Sequence, residues 1–103
     1  MKIRKINSND STSCYELDLQ SIKHWNKNQW KNELEKDDVT AKGIYLNNSI
    51  LGVCVFHKIF YEAEIRYLSV HPSYKRIGLG KKLIYEIFKE CKNENIKRIF
   101  LEV

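Results

Sequence analysis

A basic segment that contains two glycines holds the residue types of this chain best suited to chemistry. Gly78 and Gly80 lie between a predicted strand and a predicted amphipathic helix. Four cations flank them: Lys75, Arg76, Lys81 and Lys82. Glycine lets the backbone turn tightly and approach a ligand closely. The first N–H groups of a helix have no partner within it, and the helix dipole attracts anions to that end. The segment therefore predicts a site for a phosphate-rich ligand.

Two familiar phosphate-binding motifs fit this segment poorly. A P-loop has a glycine five residues before Gly-Lys-Ser/Thr, whereas Lys75 holds that first position and Lys82 replaces the hydroxyl residue. A dinucleotide-binding fingerprint would need a third glycine and a longer loop. A flexible turn is the simplest alternative, because a single Gly-x-Gly is a weak signal. The strand, the helix and the cations favour a pyrophosphate cradle made of backbone amides, which requires no metal.

The spacing of apolar residues predicts a strand, helices, a hairpin, a strand, the glycine loop, a helix and a last strand. The predicted strands cover residues 1–6, 41–46, 50–56, 63–70 and 96–103, with Asn47 and Asn48 as the hairpin turn. The strongest helix covers 79–92, and the earlier helices follow Tyr15, Leu17, Leu19 and Ile22 and then Trp25, Trp30 and Leu34. The last three elements predict one parallel strand–helix–strand crossover.

Length and composition predict one folded domain over residues 1–103, and the order of strands and helices makes it an α/β domain. The 103 residues are 43% hydrophobic, and the net charge of +5 would steer an anionic partner towards the chain. Cys14, Cys54 and Cys91 are odd in number and far apart, which favours buried free thiols in a reducing compartment over a metal site. Nothing at the N-terminus resembles a signal peptide, and no apolar run approaches the length of a membrane span, so a cytoplasmic location is expected.

The segment 68–83 resembles the acetyl-coenzyme A signature of the GNAT acetyltransferase superfamily. In that signature a strand ends in Val-x-Pro, and Arg/Gln-x-x-Gly-x-Gly/Ala follows at the start of a helix. Here Val70-His71-Pro72 is followed by Lys75-Arg76-Ile77-Gly78-Leu79-Gly80. Lys75 keeps the charge of the usual arginine but lacks its planar, multi-donor head, so weakened binding is expected. The resemblance is greatest to the RimI type, the bacterial ribosomal-protein-alanine N-acetyltransferases, which share the closing Leu101-Glu102-Val103.

The resemblance implies a mixed, mainly antiparallel sheet with flanking helices and assigns roles to residues. Backbone groups of Leu68, Ser69 and Val70 would contact the acetyl-pantetheine arm of acetyl-CoA, and one amide there would bind the oxyanion. The pyrophosphate would be held by six consecutive residues: Arg76, Ile77, Gly78, Leu79, Gly80 and Lys81. Glu102 would act as general base, through water. No metal is implied.

The same resemblance implies an acetyl-CoA-dependent N-acetyltransferase whose acceptor is a protein N-terminal α-amine, such as that of a ribosomal protein. Small amines stay open as acceptors. In the family a tyrosine acid, a further helix and two further strands follow, so the domain is expected to be incomplete after Val103. The strand 96–103 would then be an exposed edge through which the chain forms a homodimer. The alternative function is a non-catalytic CoA-binding or interaction module.

Other polar residues receive structural interpretations. Tyr67, Tyr74 and Tyr85 are possible proton donors, but Tyr74 is interpreted as loop packing and Tyr85 as a helix flank. His57 and His71 show no carboxylate partner and are expected to end strands. A nucleic-acid partner is not expected, because the lysines from 81 to 94 are expected to be mostly paired with acidic residues, the usual pattern of a solvated helix face.

Overall fold

The computed structural model describes residues 1–101 of the chain. The strands are β1 (Lys2–Ile6), β2 (Val39–Leu46), β3 (Ser49–Ile59), β4 (Glu62–Val70) and β5 (Arg98–Leu101). The α-helices are α1 (Ser11–Gln20), α2 (Lys27–Glu35) and α3 (Leu79–Asn93). Short 3₁₀ turns cover Ser8–Asp10 and Pro72–Tyr74. This order confirms the predicted series of elements. None of the described helices is long and apolar enough to cross a membrane.

The five strands lie in one sheet in chain order, β1-β2-β3-β4-β5. Each of the first three strands pairs antiparallel with the next, and the β2–β3 pair is the predicted hairpin. The last pair is parallel, with Glu62 opposite Arg98 and Ile65 opposite Leu101. Since α3 connects these two strands, the predicted strand–helix–strand crossover is confirmed.

The sheet separates two hydrophobic clusters because neighbouring residues of a strand point to opposite faces. On one face, Cys54 and Phe56 of β3 belong to the cluster of α3. On the other face, Val53 and Val55 belong to the cluster that contains Trp30 of α2. The α3 contribution is a stripe at helical spacing: Leu79, Leu83, Ile87 and Cys91. The fold is therefore a sheet between α1–α2 on one face and α3 on the other.

A bulge in β4 changes which face its side chains reach. Val55 pairs with Tyr67 and the next residue, Phe56, pairs with Ile65, so Arg66 is an extra residue on β4. An extra residue exchanges the two faces of a strand beyond it. Ile65 accordingly belongs to the α3 cluster, whereas Tyr67 belongs to the α1–α2 cluster. From Tyr67 onward, the odd-numbered residues of β4 therefore lie on the opposite face of the sheet from Ile65.

The prediction for the end of α1 was wrong. The helix ends at Gln20, so Ile22 lies outside it and is 53% exposed. Of the predicted contacts Leu17 is buried, but Leu19 is 45% exposed. The helix ends because the backbone N–H groups of residues 21 and 23 both donate to the carbonyl of Asp18, at 3.0 and 2.8 Å, which turns the chain away from the helix axis.

All three cysteines are buried free thiols, as predicted for Cys54 and Cys91. At one edge of the described sheet, Phe100 and Leu101 of β5 are 48% and 63% exposed. The pairing of this strand with a second copy of the chain stays a prediction. Glu102 and Val103 lie outside the described residues.

Candidate active site

The loop between β4 and α3, residues 71–78, turns through a short 3₁₀ segment. His71 fixes its start, because its Nδ1 accepts a hydrogen bond from the N–H of Ser73 at 3.1 Å and its Nε2 donates to Gln20 Oε1 at 2.9 Å. Two residues then adopt left-handed backbone, Arg76 with φ 67° and Gly78 with φ 86°. Gly78 is the N-cap of α3, which begins at Leu79. The loop therefore needs its glycine at position 78.

The start of α3 presents backbone donors without acceptors. Lys82 is the first residue whose N–H enters the helix pattern, donating to the carbonyl of Gly78 at 3.1 Å. Within residues 1–101, no backbone or side-chain acceptor takes the N–H groups of residues 78–81. Four adjacent N–H groups at the positive end of a helix are an anion-binding arrangement. The amides predicted as a pyrophosphate cradle are therefore free to bind a ligand.

The four cations around these amides are exposed, and none forms an ion pair with a residue in the range 1–101. They are Lys75, Arg76, Lys81 and Lys82. Further along α3, Lys89 does pair with an acidic residue, since its Nζ lies 3.4 Å from Glu86 Oε1. The expectation that the lysines from position 81 onward are mostly paired was wrong for the first turn of α3. Its positive charge is available to an anion.

A cavity of about 490 Å³ opens beside these amides. We call it the β4–α3 cavity, and its lining residues are Ile22, Leu68, Ser69, Val70, Tyr74, Lys75, Arg76, Gly78, Leu79 and Gly80. Seven of the nine predicted binding residues line it. The other two, Ile77 and Lys81, line a neighbouring groove of about 430 Å³ that shares Gly78. The predicted binding residues thus line two neighbouring openings that meet at Gly78.

Sequence reasoning missed three lining residues. Lys75 was assigned to the motif but not to the site, and Tyr74 was interpreted as loop packing. Tyr74 does pack against the α3 cluster, with its ring 5.8 Å from that of His71, while also lining the cavity. Ile22 comes from the loop between α1 and α2. Its only signal is an apolar side chain just beyond a helix end, which many proteins contain.

One edge of β4 is open beside the cavity. β5 pairs with β4 only from Glu62 to Ile65, so in the described part of the chain residues 67–70 have a strand partner on the β3 side alone. The unpaired edge offers backbone N–H and C=O groups to an extended ligand that carries amides. Leu68 and Val70 pack towards α3, which gives this edge an apolar wall. The arrangement suits an extended, amide-bearing arm that ends in phosphates.

The carboxylate of Asp18, fully buried at 0% exposure, ties the loop between α1 and α2 to β4. Its oxygens accept hydrogen bonds at 2.9–3.0 Å from four groups: the N–H of His24, the N–H of Trp25, the indole Nε1–H of Trp30 and the hydroxyl of Tyr67. Burial raises the pKa of Tyr67 well above its usual range, so the phenol stays protonated at neutral pH. Tyr67 is therefore committed to Asp18 and is not available as the general acid.

The histidine predictions met different outcomes. His57 was expected to end a strand without a carboxylate partner, which was wrong: β3 continues to Ile59, and His57 Nε2 lies 2.5 Å from Asp38 Oδ2. The hydrogen bond from His57 lowers the pKa of Asp38. His71 follows β4 as predicted. Glu102, the predicted general base, lies outside the described residues, so its role stays a prediction.

Residues 4–103 match the model of the acetyltransferase (GNAT) family. The chain belongs to this family. Membership confirms the predicted family and enzyme class. A curated relative at 26% identity over 102 residues is the ribosomal protein bS18-alanine N-acetyltransferase of Haemophilus influenzae. The match covers 98% of this chain and 69% of that protein.

Solved GNAT structures show the same fold. The ribosomal-protein-S18-alanine N-acetyltransferase from Escherichia coli superposes with a TM-score of 0.91 at 19% identity, over 99% of this chain and 66% of that one. The PaiA N-acetyltransferase from Thermoplasma acidophilum, in complex with coenzyme A, superposes with a TM-score of 0.86 at 21% identity. The match covers 100% of this chain and 80% of that one. The predicted fold is thereby confirmed. This chain spans about two thirds of the length of the bacterial alanine N-acetyltransferases it matches.

Proposed function

We propose that this GNAT chain binds acetyl-CoA in the β4–α3 cavity and transfers the acetyl group to an amine in the cytoplasm. The observation that carries the proposal is the set of four N–H groups at residues 78–81, which have no acceptor within residues 1–101. They lie next to four cations that form no ion pair with the same part of the chain. Both features suit a diphosphate.

The rest of the cavity suits the remainder of acetyl-CoA. The open edge of β4 at residues 67–70 offers backbone groups to the amides of the pantetheine arm. Leu68, Val70 and Leu79 supply apolar contacts along its length. The cradle for the pyrophosphate would comprise Arg76 to Lys81, with Ile77 and Lys81 reached through the neighbouring groove. The pantetheine arm and the pyrophosphate thus each meet the kind of group that recognises them.

Transfer needs three things from the protein. The amine nitrogen must lose a proton, the thioester oxygen must be stabilised as it gains charge, and the leaving thiolate must gain a proton. A carbon–nitrogen bond forms while the carbon–sulfur bond breaks. We assign the first task to Glu102, through water, and the second to an amide of residues 68–70. We assign the third to no described residue, since Tyr67 is bound to Asp18.

We propose a protein N-terminal α-amine as the acceptor. The support is the similarity to the Haemophilus influenzae enzyme, which is named for the alanine of ribosomal protein bS18. A peptide that begins with alanine is therefore the first acceptor to test, beside a small polyamine as the competing class.

The decisive experiment measures binding and transfer separately. Isothermal titration with CoA is expected to show binding, and acetyl-CoA with the alanine peptide is expected to yield an acetylated product by mass spectrometry. Glu102→Gln is expected to keep CoA binding and lose most of the transfer. A folded chain that does not bind CoA would overturn the proposal. Binding without transfer to any amine would favour a non-catalytic CoA module, and transfer to the polyamine alone would overturn the protein acceptor.

A further inference from the structure

The hydrogen bonds around Tyr67 have a fixed direction. Asp18 is fully buried, and three N–H groups that can only donate share its oxygens with the Tyr67 hydroxyl, so the carboxylate accepts. The hydroxyl of Tyr67 lies 2.9 Å from Asp18 Oδ1 and therefore gives its single proton to that oxygen. A phenol has no second proton. Any other hydrogen bond of the Tyr67 oxygen must be one that it accepts.

The partner of that second bond is Ser69. Its Oγ lies 2.5 Å from the Tyr67 oxygen, and both side chains are buried, at 7% and 3% exposure. Since the Tyr67 proton is used on Asp18, the Ser69 hydroxyl must donate here. Ser69 has one hydroxyl proton and two acceptor lone pairs. Its proton is therefore used, and only acceptor capacity remains on Oγ.

That capacity is unused within residues 1–101, where no donor reaches Ser69 Oγ. Ser69 also lines the β4–α3 cavity, with Ile22 among the other lining residues. Because of the bulge at Arg66, Tyr67 belongs to the α1–α2 cluster, and Ser69, two residues further along the strand, shares that face of β4. A buried hydroxyl oxygen with free lone pairs, on a residue that lines the cavity, can accept a further hydrogen bond from a ligand.

We infer that the Ser69 hydroxyl is a binding group that accepts a hydrogen bond from an N–H of the ligand. This inference rests on the proposed function and adds a side-chain contact to it. Two N–H sources are present in the reaction: an amide of the pantetheine arm and the amine of the acceptor. A ligand carbonyl is disfavoured at this position, because it would bring two acceptors together without a proton.

Ser69→Ala removes the acceptor, while the Tyr67 hydroxyl keeps its bond to Asp18. The expected loss is threefold to tenfold, about the size of one hydrogen bond. If the pantetheine amide is the source, the Kd for CoA rises and the Kd for adenosine 3′,5′-bisphosphate, which lacks the arm, does not. If the acceptor amine is the source, the KM for the alanine peptide rises at saturating acetyl-CoA and the Kd for CoA is unchanged.

Two further variants at position 69 test whether the hydroxyl, and not the size of the side chain, determines the affinity. Ser69→Thr and Ser69→Val have nearly the same shape and differ in the hydroxyl, so threonine is expected to keep the affinity that valine loses. Ser13→Ala, at an exposed serine of α1, is the control and is expected to change neither constant.

The outcomes separate this inference from the proposed function. If the wild-type chain binds CoA and transfers acetyl, but Ser69→Ala and Ser69→Val leave both constants within twofold, the inference alone is wrong. If the folded wild-type chain neither binds CoA nor transfers acetyl, the proposed function falls and the inference falls with it. Equal losses in the threonine and valine variants would also refute it, since shape and not the hydroxyl would then matter.

Discussion

Gly78 sets the direction of the free amides through a backbone conformation that only glycine adopts without strain. Its φ is 86° and its ψ is 14°, and a Cβ placed on it meets nothing within 4 Å. Gly78→Ala therefore adds no clash. Its whole effect is the cost of left-handed backbone for an L-residue, about 1–2 kcal/mol.

That cost must appear in one of two measurements. If the alanine variant keeps the loop conformation, the free energy of unfolding falls by about 1–2 kcal/mol, which lowers Tm by about 4–8 °C per kcal/mol in a domain of this size. If the loop relaxes in the free protein, binding must restore the conformation, and CoA affinity falls about fivefold to thirtyfold. If the loop relaxes only in part, the same cost of about 1–2 kcal/mol is divided between the free energy of unfolding and the free energy of CoA binding.

Gly80→Ala is the matched control. Gly80 lies in the first turn of α3 without left-handed backbone, and an added Cβ would lie 3.8 Å from Val70 Cγ2, an ordinary contact. Stability is expected to hold or rise by up to about 1 kcal/mol, since alanine favours helix over glycine. Urea denaturation and CoA titration measure both quantities. Unchanged stability and affinity in Gly78→Ala would refute the reasoning, as would an equal effect of the two substitutions.

Three further predictions concern other parts of the molecule. Asp18→Asn is expected to lower the free energy of unfolding by about 3 kcal/mol, measured in urea, because an amide nitrogen would face buried donors. Lys81→Ala is expected to weaken CoA binding and reduce its salt dependence, while Lys89→Ala, whose lysine contacts Glu86, is not. Burial raises the pKa of Cys14 and Cys54 from 9.0 to about 12. Stability is therefore full below pH 9 and falls above it as the unfolded thiols ionise, by about 1.4 kcal/mol per thiol at pH 10 in pH-dependent denaturation.

The sequence predicted best what depends on local spacing. The stripe from Leu79 to Cys91 identified α3 because residues three and four apart share a helix face. The glycine required at position 78 was also identified, since a tight turn before a helix favours glycine. These features are set by residues close together in the chain.

The features that the sequence did not show depend on distant contacts. Ala63, Ile65, Tyr67 and Ser69 alternate with perfect period two, so the sequence places them on one face of β4. The bulge at Arg66 divides them between two faces, and it arises in the pairing with β3. The role of Asp18 was hidden for the same reason, because its donors come from four positions between 24 and 67.

The two walls of the β4–α3 cavity are therefore held in different ways. The wall at α3 depends on one glycine and on local helix geometry, so changes there are expected to act on CoA affinity and on stability without moving the β4 wall. The wall at β4 depends on Asp18, which also fixes the loop that carries Ile22. Loss of Asp18 is expected to disturb both Ser69 and Ile22, because one buried carboxylate orients both. A variant that impairs the site without touching a ligand is thus expected at Asp18 and not within α3.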